Sequence, residues 1–586
     1  MKRAQVLFVV VVMAMAAAPF LVPPYYVTLL NYIGLASLVT LGLVVMTGVG
    51  GIVSFGQQAF VGIAAYATAA LTTTAGWSPW GGLLASLVLV ALSALLIGAV
   101  TLRLSGHYLT IATIAWGIAI YHLFGNLPLL GQYSGIDNVP PVSIGSFDFD
   151  SGRKSYYLIW CITLVMLVAA RNLLDSRPGR AIRALRFRGV MAESCGVDTS
   201  ALKLVIFIYA ALLAGFSGWL YAHFLRFVSP HAFGVNAGID YLFMAAIGGA
   251  SEVWGAIVGA SIMTILKEWL SDLLPALFSH SGNYETIVFG VLMLVLLQHA
   301  RGGIVPAFTR WIPQREQASP PDAPALERRP RPAAGAPLFE VNGLSKRFGG
   351  LVAVNDIGFT MCSGEILGLI GPNGAGKSTL FNLVSGTLAA NAGSVMLAGE
   401  RIDGKPSRTI ARRGLARSFQ HVNLVSRMSV LENVAMGAYL RGHRGTFSAI
   451  LRTDRGEEAR LLAEAAHQIH RVGLGAHLHD AAGSLPLGRQ RIVEIARALA
   501  ADPLLLLLDE PAAGLRYGEK QELAELLRNL RAEGLSVLLV EHDMEFVMGL
   551  VDRIVVMDFG EKLAEGLPAQ IQADPAVIEA YLGGID

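Results

Sequence analysis

The stretch GPNGAGKST, residues 371–379, constrains the fold of this chain more than any other. It fits the phosphate-binding pattern G-x-x-x-x-G-K-[ST] and lies between a strand-like apolar run, 365–370, and a helix-like run, 380–385. Lys377 is predicted to reach the outer phosphates, and Ser378 to offer its hydroxyl to Mg²⁺. A chance glycine-rich turn would not carry this flanking pattern. The predicted nucleoside triphosphate loop comprises Gly371, Pro372, Asn373, Gly374, Ala375, Gly376, Lys377, Ser378 and Thr379.

Side chains outside the loop complete the predicted chemistry. Residues 504–508 are five leucines, which predict a strand buried on both faces. Asp509 and Glu510 follow at its carboxyl end, where α/β domains place their sites. Asp509 is predicted to hold Mg²⁺, and Glu510 to polarise the attacking water. Gln420, in ARSFQ, is predicted to sense Mg²⁺ and water, and His542, after a further strand-like run, to contact the outer phosphate.

The first half of the chain is too apolar for a soluble domain. The whole chain is 54% hydrophobic and 15% charged, whereas soluble domains carry about 25% charged residues. A net charge of +2 gives no general nucleic-acid signature, so no nucleic-acid partner is expected. We predict about ten membrane passes. The apolar runs are 6–22, 27–47, 55–75, 82–104, 107–126, 156–173, 202–223, 237–250, 254–272 and 284–300.

Charges near these runs predict their orientation. Lys2 and Arg3 precede the first run, which favours a spanning helix with a cytoplasmic N-terminus; a cleaved signal peptide is the alternative. An even number of passes then returns the C-terminus to the cytoplasm. The predicted inner loops carry Arg103, Arg171, Arg177, Arg180, Arg183, Arg186 and Arg188, and a predicted outer loop carries Asp137, Asp148 and Asp150.

Glycines interrupt the second and third apolar runs. Gly48, Gly50, Gly51 and Gly56 surround Ser54 and the pair Gln57 and Gln58. A broken helix frees backbone groups that lipid cannot satisfy, so it should face protein or a water-filled cavity, as broken segments of transporters often do. Close helix packing is the alternative explanation of the glycines. Both explanations, a broken helix that faces a cavity and close helix packing, stay open.

The predicted inner loop 176–197, SRPGRAIRALRFRGVMAESCGV, is too polar to span a membrane. Residues 180–192 are expected to form a short helix with apolar Ile182, Leu185 and Val190. The arginines can hold the loop inside, and the helix can also dock on another domain. The two roles are compatible.

Three domains are expected. Residues 1–305 form the membrane bundle, and 306–337, rich in Pro, Ala and Arg, form a semi-extended linker that ties two parts together without fixing their geometry. From 338 to 586, strand-like and helical runs alternate, which predicts a mostly parallel α/β domain. Cys161, Cys195 and Cys362 are expected to be free thiols. The fold class is an all-α polytopic bundle followed by an α/β P-loop domain.

The second domain resembles an ABC-transporter ATPase. Between Gln420 and the Asp509–Glu510 pair lies LPLGRQ, residues 485–490, which is similar in position to the family's L-S-G-G-Q signature. The resemblance implies that Leu485, Gly488 and Gln490 contact ATP held by a partner domain, and that Phe348 stacks on adenine. In this family two such domains close head to tail. Pro486 and Arg516 depart from the family pattern, which puts equal activity of the two ATP sites in doubt.

The first domain is similar to bacterial branched-chain amino-acid importer permeases. The similarity lies in GVGGIVSFGQQAFVGIAAYATA, LRLSGHYLTIATIAWGI, RAIRALRFRGVMAESCGV and MAAIGGASEVWGAIVGA. The short C-terminal end, VIEAYLGG, resembles that of the ATPase of the same importer system. The resemblance implies that a permease and an ATPase, commonly separate subunits, are joined here, and that residues 180–196 dock in the ATPase.

The expected function is therefore one half of an ATP-driven importer in the bacterial inner membrane, with its ATPase domain in the cytoplasm and ATP and Mg²⁺ as cofactors. The implied partners are a second permease subunit with its own ATPase, or a second copy, together with a periplasmic binding protein and membrane lipid. Branched-chain amino acids are the implied solute; urea, short amides and aromatic acids are alternatives. An exporter and a membrane-anchored regulatory ATPase are further alternatives, and the many passes with short inner loops argue against both.

Overall fold

The computed structural model describes residues 15–104, 106–278 and 322–582, with a few single residues outside these ranges. The chain divides into two compact units. The helical unit contains residues 1–175 and 200–315, and the α/β unit contains residues 176–199 and 316–586. The loop 176–199, which we call the docking segment, therefore belongs with the C-terminal half of the chain although helices of the other unit flank it. The boundaries after residues 305 and 337 stay a prediction.

The helical unit is built from long apolar helices. One of them, α1, continues into a π-helical turn, Val44–Val49, and residues 50–56 then interrupt the helical path, as the glycines predict. The described helices of this unit are α1 Pro24–Leu43, α2 Gln57–Thr73, α3 Pro79–Thr101, α4 His107–Asn126, α5 Gly152–Leu174, α8 Thr199–Leu225, α9 Val235–Gly248 and α10 Gly255–Phe278.

Five described helical stretches are long and apolar enough to cross a membrane. They are Pro24–Val49, Pro79–Thr101, His107–Asn126, Gly152–Leu174 and Thr199–Leu225, and α9 is a shorter apolar helix. The predicted runs 6–22 and 284–300 lie partly outside the described residues. The predicted count of about ten passes is therefore not confirmed, whereas a helical unit with several apolar helices is.

The docking segment forms two helices rather than one. These are α6, Arg177–Leu185, and α7, Gly189–Ser194. The Ser176 hydroxyl accepts a hydrogen bond from the Gly179 N–H, which caps the first helix. Of the apolar residues of the expected helix, Ile182 is buried but Val190 is 53% exposed. The prediction of one helix over 180–192 was wrong because residues 186–188 are not helical. The second helix therefore does not continue the buried face of the first.

Two sheets form the centre of the α/β unit. The larger one has the order β6-β7-β8-β3-β9-β10, with only the last pair antiparallel, and the smaller antiparallel sheet has the order β2-β1-β4-β5. The strands are β1 Pro337–Phe348, β2 Leu351–Cys362, β3 Ile366–Ile370, β4 Ala392–Leu397, β5 Glu400–Arg401, β6 Leu415–Arg417, β7 Leu505–Asp509, β8 Ser536–Val540, β9 Arg553–Asp558 and β10 Glu561–Gly566.

Helices cover this sheet and form a second cluster beside it. In that cluster α13, α15 and α16 pack around Leu461, Ile469 and Val493. The described helices are α11 Lys377–Val384, α12 Ser407–Arg412, α13 Val430–Gly437, α14 Thr446–Ile450, α15 Arg455–Arg471, α16 Leu487–Ala500, α17 Tyr517–Ala532, α18 Met544–Met548, α19 Pro568–Ala573 and α20 Pro575–Leu582.

The described part of the predicted linker, 322–336, packs on the α/β unit. Leu326 is 7% exposed and joins the core of the helical cluster. The Arg441 guanidinium donates to the Glu327 carbonyl over 2.9 Å, and the Arg329 N–H donates to Asp502 Oδ2 over 2.5 Å. Prolines prevent regular structure here, but an extended backbone leaves its carbonyls available to arginine donors. This part is therefore held on the α/β unit, whereas the predicted linker 306–337 as a whole stays a prediction.

Candidate functional site

Three parallel strands place the predicted site residues at one edge of the larger sheet. Asp509 pairs with Val540, and Val540 pairs with Leu369. The carboxyl ends of β7, β8 and β3 therefore meet, and the predicted phosphate loop follows β3 directly. This is the edge at which parallel α/β sheets bind their ligands.

The phosphate loop needs its glycines. Gly371 and Gly376 have φ angles of +153° and +94°. A side chain at Gly371 would overlap the Met557 carbonyl, and one at Gly376 would overlap the Ala353 carbonyl. Backbone conformation and lack of space both exclude other residues here. The loop consequently keeps its backbone open toward a ligand, while the side chains of Asn373 and Ser378 are exposed.

Lys377 begins helix α11 and lies against its own loop. Its Nζ atom donates to the carbonyls of Gly371, over 2.7 Å, and Pro372, over 2.9 Å. Burial lowers the pKa of this ammonium, although the charges of Glu510 and Asp509 act in the opposite direction. The ammonium group is thus held by two loop carbonyls, and phosphate oxygens bound in the loop could replace these two acceptors.

Asp509 provides the clearest indication of a cation site. The residue is buried, and its Oδ1 atom has no hydrogen-bond partner. Burial raises the pKa of this carboxyl, and Glu510 raises it further, while Arg417 opposes both. A buried carboxylate oxygen without a partner is costly unless a cation faces it. These features fit Mg²⁺, a hard cation that prefers oxygen ligands.

Glu510, His542 and Gln420 meet at this edge of the sheet. Glu510 Oε1 lies 2.8 Å from His542 Nε2 and accepts a 3.2 Å bond from Gln420 Nε2. Glu510 has a φ angle of +49°, which is unusual for a residue with a side chain. Such strained positions cluster at functional sites. One carboxylate oxygen is therefore held by two polar side chains at the strand end.

Arg491, on the first turns of α16, is a site residue that the sequence analysis missed. Its Nη1 atom donates to the Glu510 carbonyl over 2.6 Å, and its Nη2 atom donates to the Gln420 carbonyl over 3.4 Å. One guanidinium thus holds the backbone of two predicted catalytic residues. The only signal in the sequence was that Arg491 is a basic residue directly after the signature-like stretch 485–490. That signal did not indicate which groups Arg491 contacts.

The residues assigned by resemblance differ in how far they are exposed. Phe348 is 46% exposed at the β1–β2 hairpin, and strand β2 carries Ala353, which lies against Gly376. Leu485 is buried, and its carbonyl accepts a 2.7 Å bond from Gln490 Nε2.

Pro486 is the N-cap of α16, and Gly488 lies in the first turn of that helix. The roles predicted for Phe348, Leu485, Gly488 and Gln490 toward ATP stay predictions.

The docking segment is held in the α/β unit by arginines. Arg180 forms a bidentate ion pair with Glu458 of α15, and both side chains are less than about a tenth exposed, at 4% and 7%. Arg183 pairs with Glu432 of α13 at 2.5 Å. Burial opposes ionisation of Glu432, but Arg183 holds the pKa of that carboxyl below its ordinary value.

Arg177 and Gly196 extend this contact. The Arg177 guanidinium donates to the carbonyls of Tyr439, Gly442 and Arg444, at 2.6, 2.5 and 2.6 Å, and lies over the Tyr439 ring. Gly196 has a φ angle of +92° and lies where a side chain would overlap Leu440. The contact between the docking segment and the rest of the α/β unit therefore combines ion pairs, hydrogen bonds and close packing.

Three family models match the chain. The model described as "Branched-chain amino acid transport system / permease component" matches residues 25–297. The model described as "ABC transporter" matches residues 354–513, and the model described as "Branched-chain amino acid ATP-binding cassette transporter" matches residues 561–586.

Relatives agree with these matches. The high-affinity branched-chain amino acid transport ATP-binding protein LivG of Escherichia coli (strain K12) is 45% identical over 250 residues, which are 42% of this chain and 98% of LivG. The protein of the same description named BraF, from Pseudomonas aeruginosa, is 42% identical over 250 residues, again 42% of this chain and 98% of BraF. A solved nucleotide-free ATP-binding cassette from an ABC transporter is 29% identical, covers 42% of this chain and 98% of its own, and has a TM-score of 0.38.

Proposed function

Since the chain belongs to the branched-chain amino acid ABC transporter family and joins a permease to an ATPase, we propose that it is one half of an importer that moves branched-chain amino acids across the bacterial inner membrane. ATP hydrolysis in the α/β unit drives this transport. LivG and BraF, which are described as ATP-binding proteins of branched-chain amino acid transport, support this choice of solute. The exporter and regulatory-ATPase alternatives are not favoured.

One observation carries the mechanism: the docking segment lies in the chain between α5 and α8 of the helical unit, yet its ion pairs are made in the α/β unit. A displacement of α13 and α15 must therefore act on residues directly connected to two apolar helices. The buried Arg180–Glu458 pair suits this task, because separating it would leave a charge buried without a partner.

A second set of contacts joins the ATP site to the same helices. Arg491 on α16 holds the carbonyls of Glu510 and Gln420. Helix α16 packs on α13 and α15, which carry the glutamates that bind the docking segment. We infer that a change at Gln420 and Glu510 on nucleotide binding moves α16, and with it the docking segment.

Hydrolysis itself needs few groups. Lys377 exchanges its two carbonyl partners for phosphate oxygens, and Glu510, held by His542 and Gln420, orients water and accepts its proton. Asp509, Ser378 and the Gln420 amide oxygen are the residues that would hold Mg²⁺, which would supply charge neutralisation at the phosphates. The orphan Asp509 oxygen supports this assignment.

Further partners follow from the half-transporter proposal. The pathway needs a second permease subunit, and the departures at Pro486 and Arg516 favour a different subunit with its own ATPase over a second copy. A periplasmic binding protein would deliver the solute, and membrane lipid would surround the apolar helices.

The direct test is uptake of labelled L-leucine by cells that express this chain with its partner permease and binding protein. We expect ATP-dependent uptake that unlabelled isoleucine and valine inhibit. Inhibition by urea, a short amide or an aromatic acid, with none by valine, would replace the proposed solute class. Outward movement of leucine would contradict import.

A further inference from the structure

Gln58 has an unusual environment in the helical unit. It lies in the first turn of α2, directly after the interruption at residues 50–56, and is 1% exposed. Both its Nε2 and Oε1 atoms are buried without a hydrogen-bond partner. Two buried hydroxyls on the same helix are satisfied: that of Thr68 lies 2.9 Å from His223 Nε2, and that of Thr72 donates to the Thr68 carbonyl over 2.8 Å. The Tyr66 hydroxyl, also buried on this helix, has no partner.

Two glycines on other helices surround this amide. A Cβ atom at Gly117 of α4 would lie 2.7 Å from Gln58 Nε2, and one at Gly238 of α9 would overlap Gln58 Oε1. At these two positions the backbone of α4 and of α9 therefore lies directly against the amide, with no side chain between them. An outward movement of α4 or α9 would open space beside the amide at these positions.

The neighbouring Gln57 shows the same feature in part. Its Nε2 atom lies 3.9 Å from the Met46 sulfur, which is a weak acceptor, and its Oε1 atom is buried without a partner. Buried polar atoms without partners are rare in proteins, and each one calls for an explanation such as a ligand or a water in another state. Packing alone would be served as well by apolar side chains of the same shape.

We propose that Gln58, together with the N-terminus of α2, is a contact site for the zwitterionic α-amino-acid group of the transported solute when α4 and α9 move apart from α2. This inference rests on the proposed function. An amide offers both a donor for a carboxylate and an acceptor for an ammonium group. The unpaired N–H groups of a helix N-terminus favour the carboxylate, as at broken helices of other transporters.

The test replaces Gln58 by Leu in the full chain, expressed with its partner subunit and binding protein. We expect uptake of labelled leucine, isoleucine and valine to fall by about tenfold or more, and by the same factor, because the three share their α-amino-acid group. We expect the melting temperature of the purified protein to stay equal or rise, since an unsatisfied amide is removed.

Thr72→Val on the same helix is the matched control, because its hydroxyl is buried but satisfied, and it should leave uptake unchanged. Gln58→Met, unbranched and similar in volume, is measured beside Gln58→Leu. The inference is overturned if uptake stays within twofold of wild type, if only one of the three solutes is affected, or if both Gln58 variants lower the melting temperature. Absence of leucine uptake by the wild-type chain would instead refute the proposed function.

Discussion

Glu510 occupies a backbone conformation that a side chain rarely adopts, and the surrounding residues maintain it. Its N–H donates to the Val540 carbonyl over 2.9 Å, its carbonyl accepts from Arg491, and its carboxylate meets His542 and Gln420. Strain of this kind persists only when several contacts determine the position. These contacts consequently fix the orientation of the carboxylate.

Replacing Glu510 by Gln should lower the rate of ATP hydrolysis by about 10²-fold or more, because an amide cannot accept the proton of the attacking water. The affinity for ATP should change little, since Lys377 and the loop backbone remain. Steady-state phosphate release and equilibrium binding of a fluorescent ATP analogue measure the two effects. Hydrolysis at the wild-type rate would remove Glu510 from the catalytic role.

Arg491→Gln should lower kcat for ATP hydrolysis by about tenfold, while KM for ATP changes less than twofold, because the guanidinium holds the Glu510 and Gln420 carbonyls and not the phosphate loop. Lys at this position should restore part of the rate, since it can still donate to one carbonyl. Arg489→Gln is the control: Arg489 contacts His477 on the other side of the helix start. Equal effects at 489 and 491 would contradict a positioning role.

At the scale of elements, the location of the docking segment could be predicted from the sequence, whereas its division into two helices could not. Its arginines and its polarity predicted an inner, helix-forming loop, and residues 180–196 were expected to dock in the ATPase domain. Its division into α6 and α7 was not predicted, because the apolar positions alone allowed one continuous helix over 180–192. The break between α6 and α7 goes together with a difference in packing, because Ile182 is buried and Val190 is exposed.

Exchanging the charges of Arg180 and Glu458 tests the contact between the docking segment and α15. Arg180→Glu should abolish leucine uptake while the chain still hydrolyses ATP, because two buried carboxylates would face each other; breaking such a pair costs about 3–5 kcal/mol. Glu458→Arg alone should act similarly, and the double exchange should recover part of the uptake. Val190→Glu, at an exposed position of α7, should leave uptake unchanged. Full uptake by the single Arg180 variant would exclude a coupling role for the pair.

At the scale of the whole molecule, two connections join the halves of the chain. One is covalent, through residues 306–337, and the described part of it packs along the α/β unit. The other is the docking segment, which belongs to the α/β unit by its contacts and to the helical half by its position in the chain. The fusion of permease and ATPase therefore does not depend on the proline-rich connection alone.

A protease site inserted between residues 306 and 321 tests this statement. After cleavage in mild detergent, we expect the two fragments to elute together in size-exclusion chromatography, because the first fragment still carries Arg177, Arg180 and Arg183. In the Arg180→Glu background the cleaved fragments should separate. Separation of the fragments with the wild-type docking segment would mean that its contacts are too weak to hold the ATPase.

The amino-acid sequence by itself determined the features that depend on local chain properties. A glycine loop between a strand and a helix, a five-leucine strand ending in Asp509 and Glu510, and apolar runs interrupted by glycine each have short-range causes. The position of Asp509 and Glu510 at the end of a strand could be predicted for this reason, as could the helical interruption before α2.

Only the tertiary structure decided the contacts between distant residues. Arg180 and Glu458 are 278 positions apart, and Arg491 meets Gln420 across 71 positions. The missing partners of Gln58 likewise depend on where α4 and α9 place Gly117 and Gly238. No local pattern encodes such pairings, because they arise from the packing of whole elements, in which burial removes water as an alternative partner and makes each polar contact costly to leave unmade.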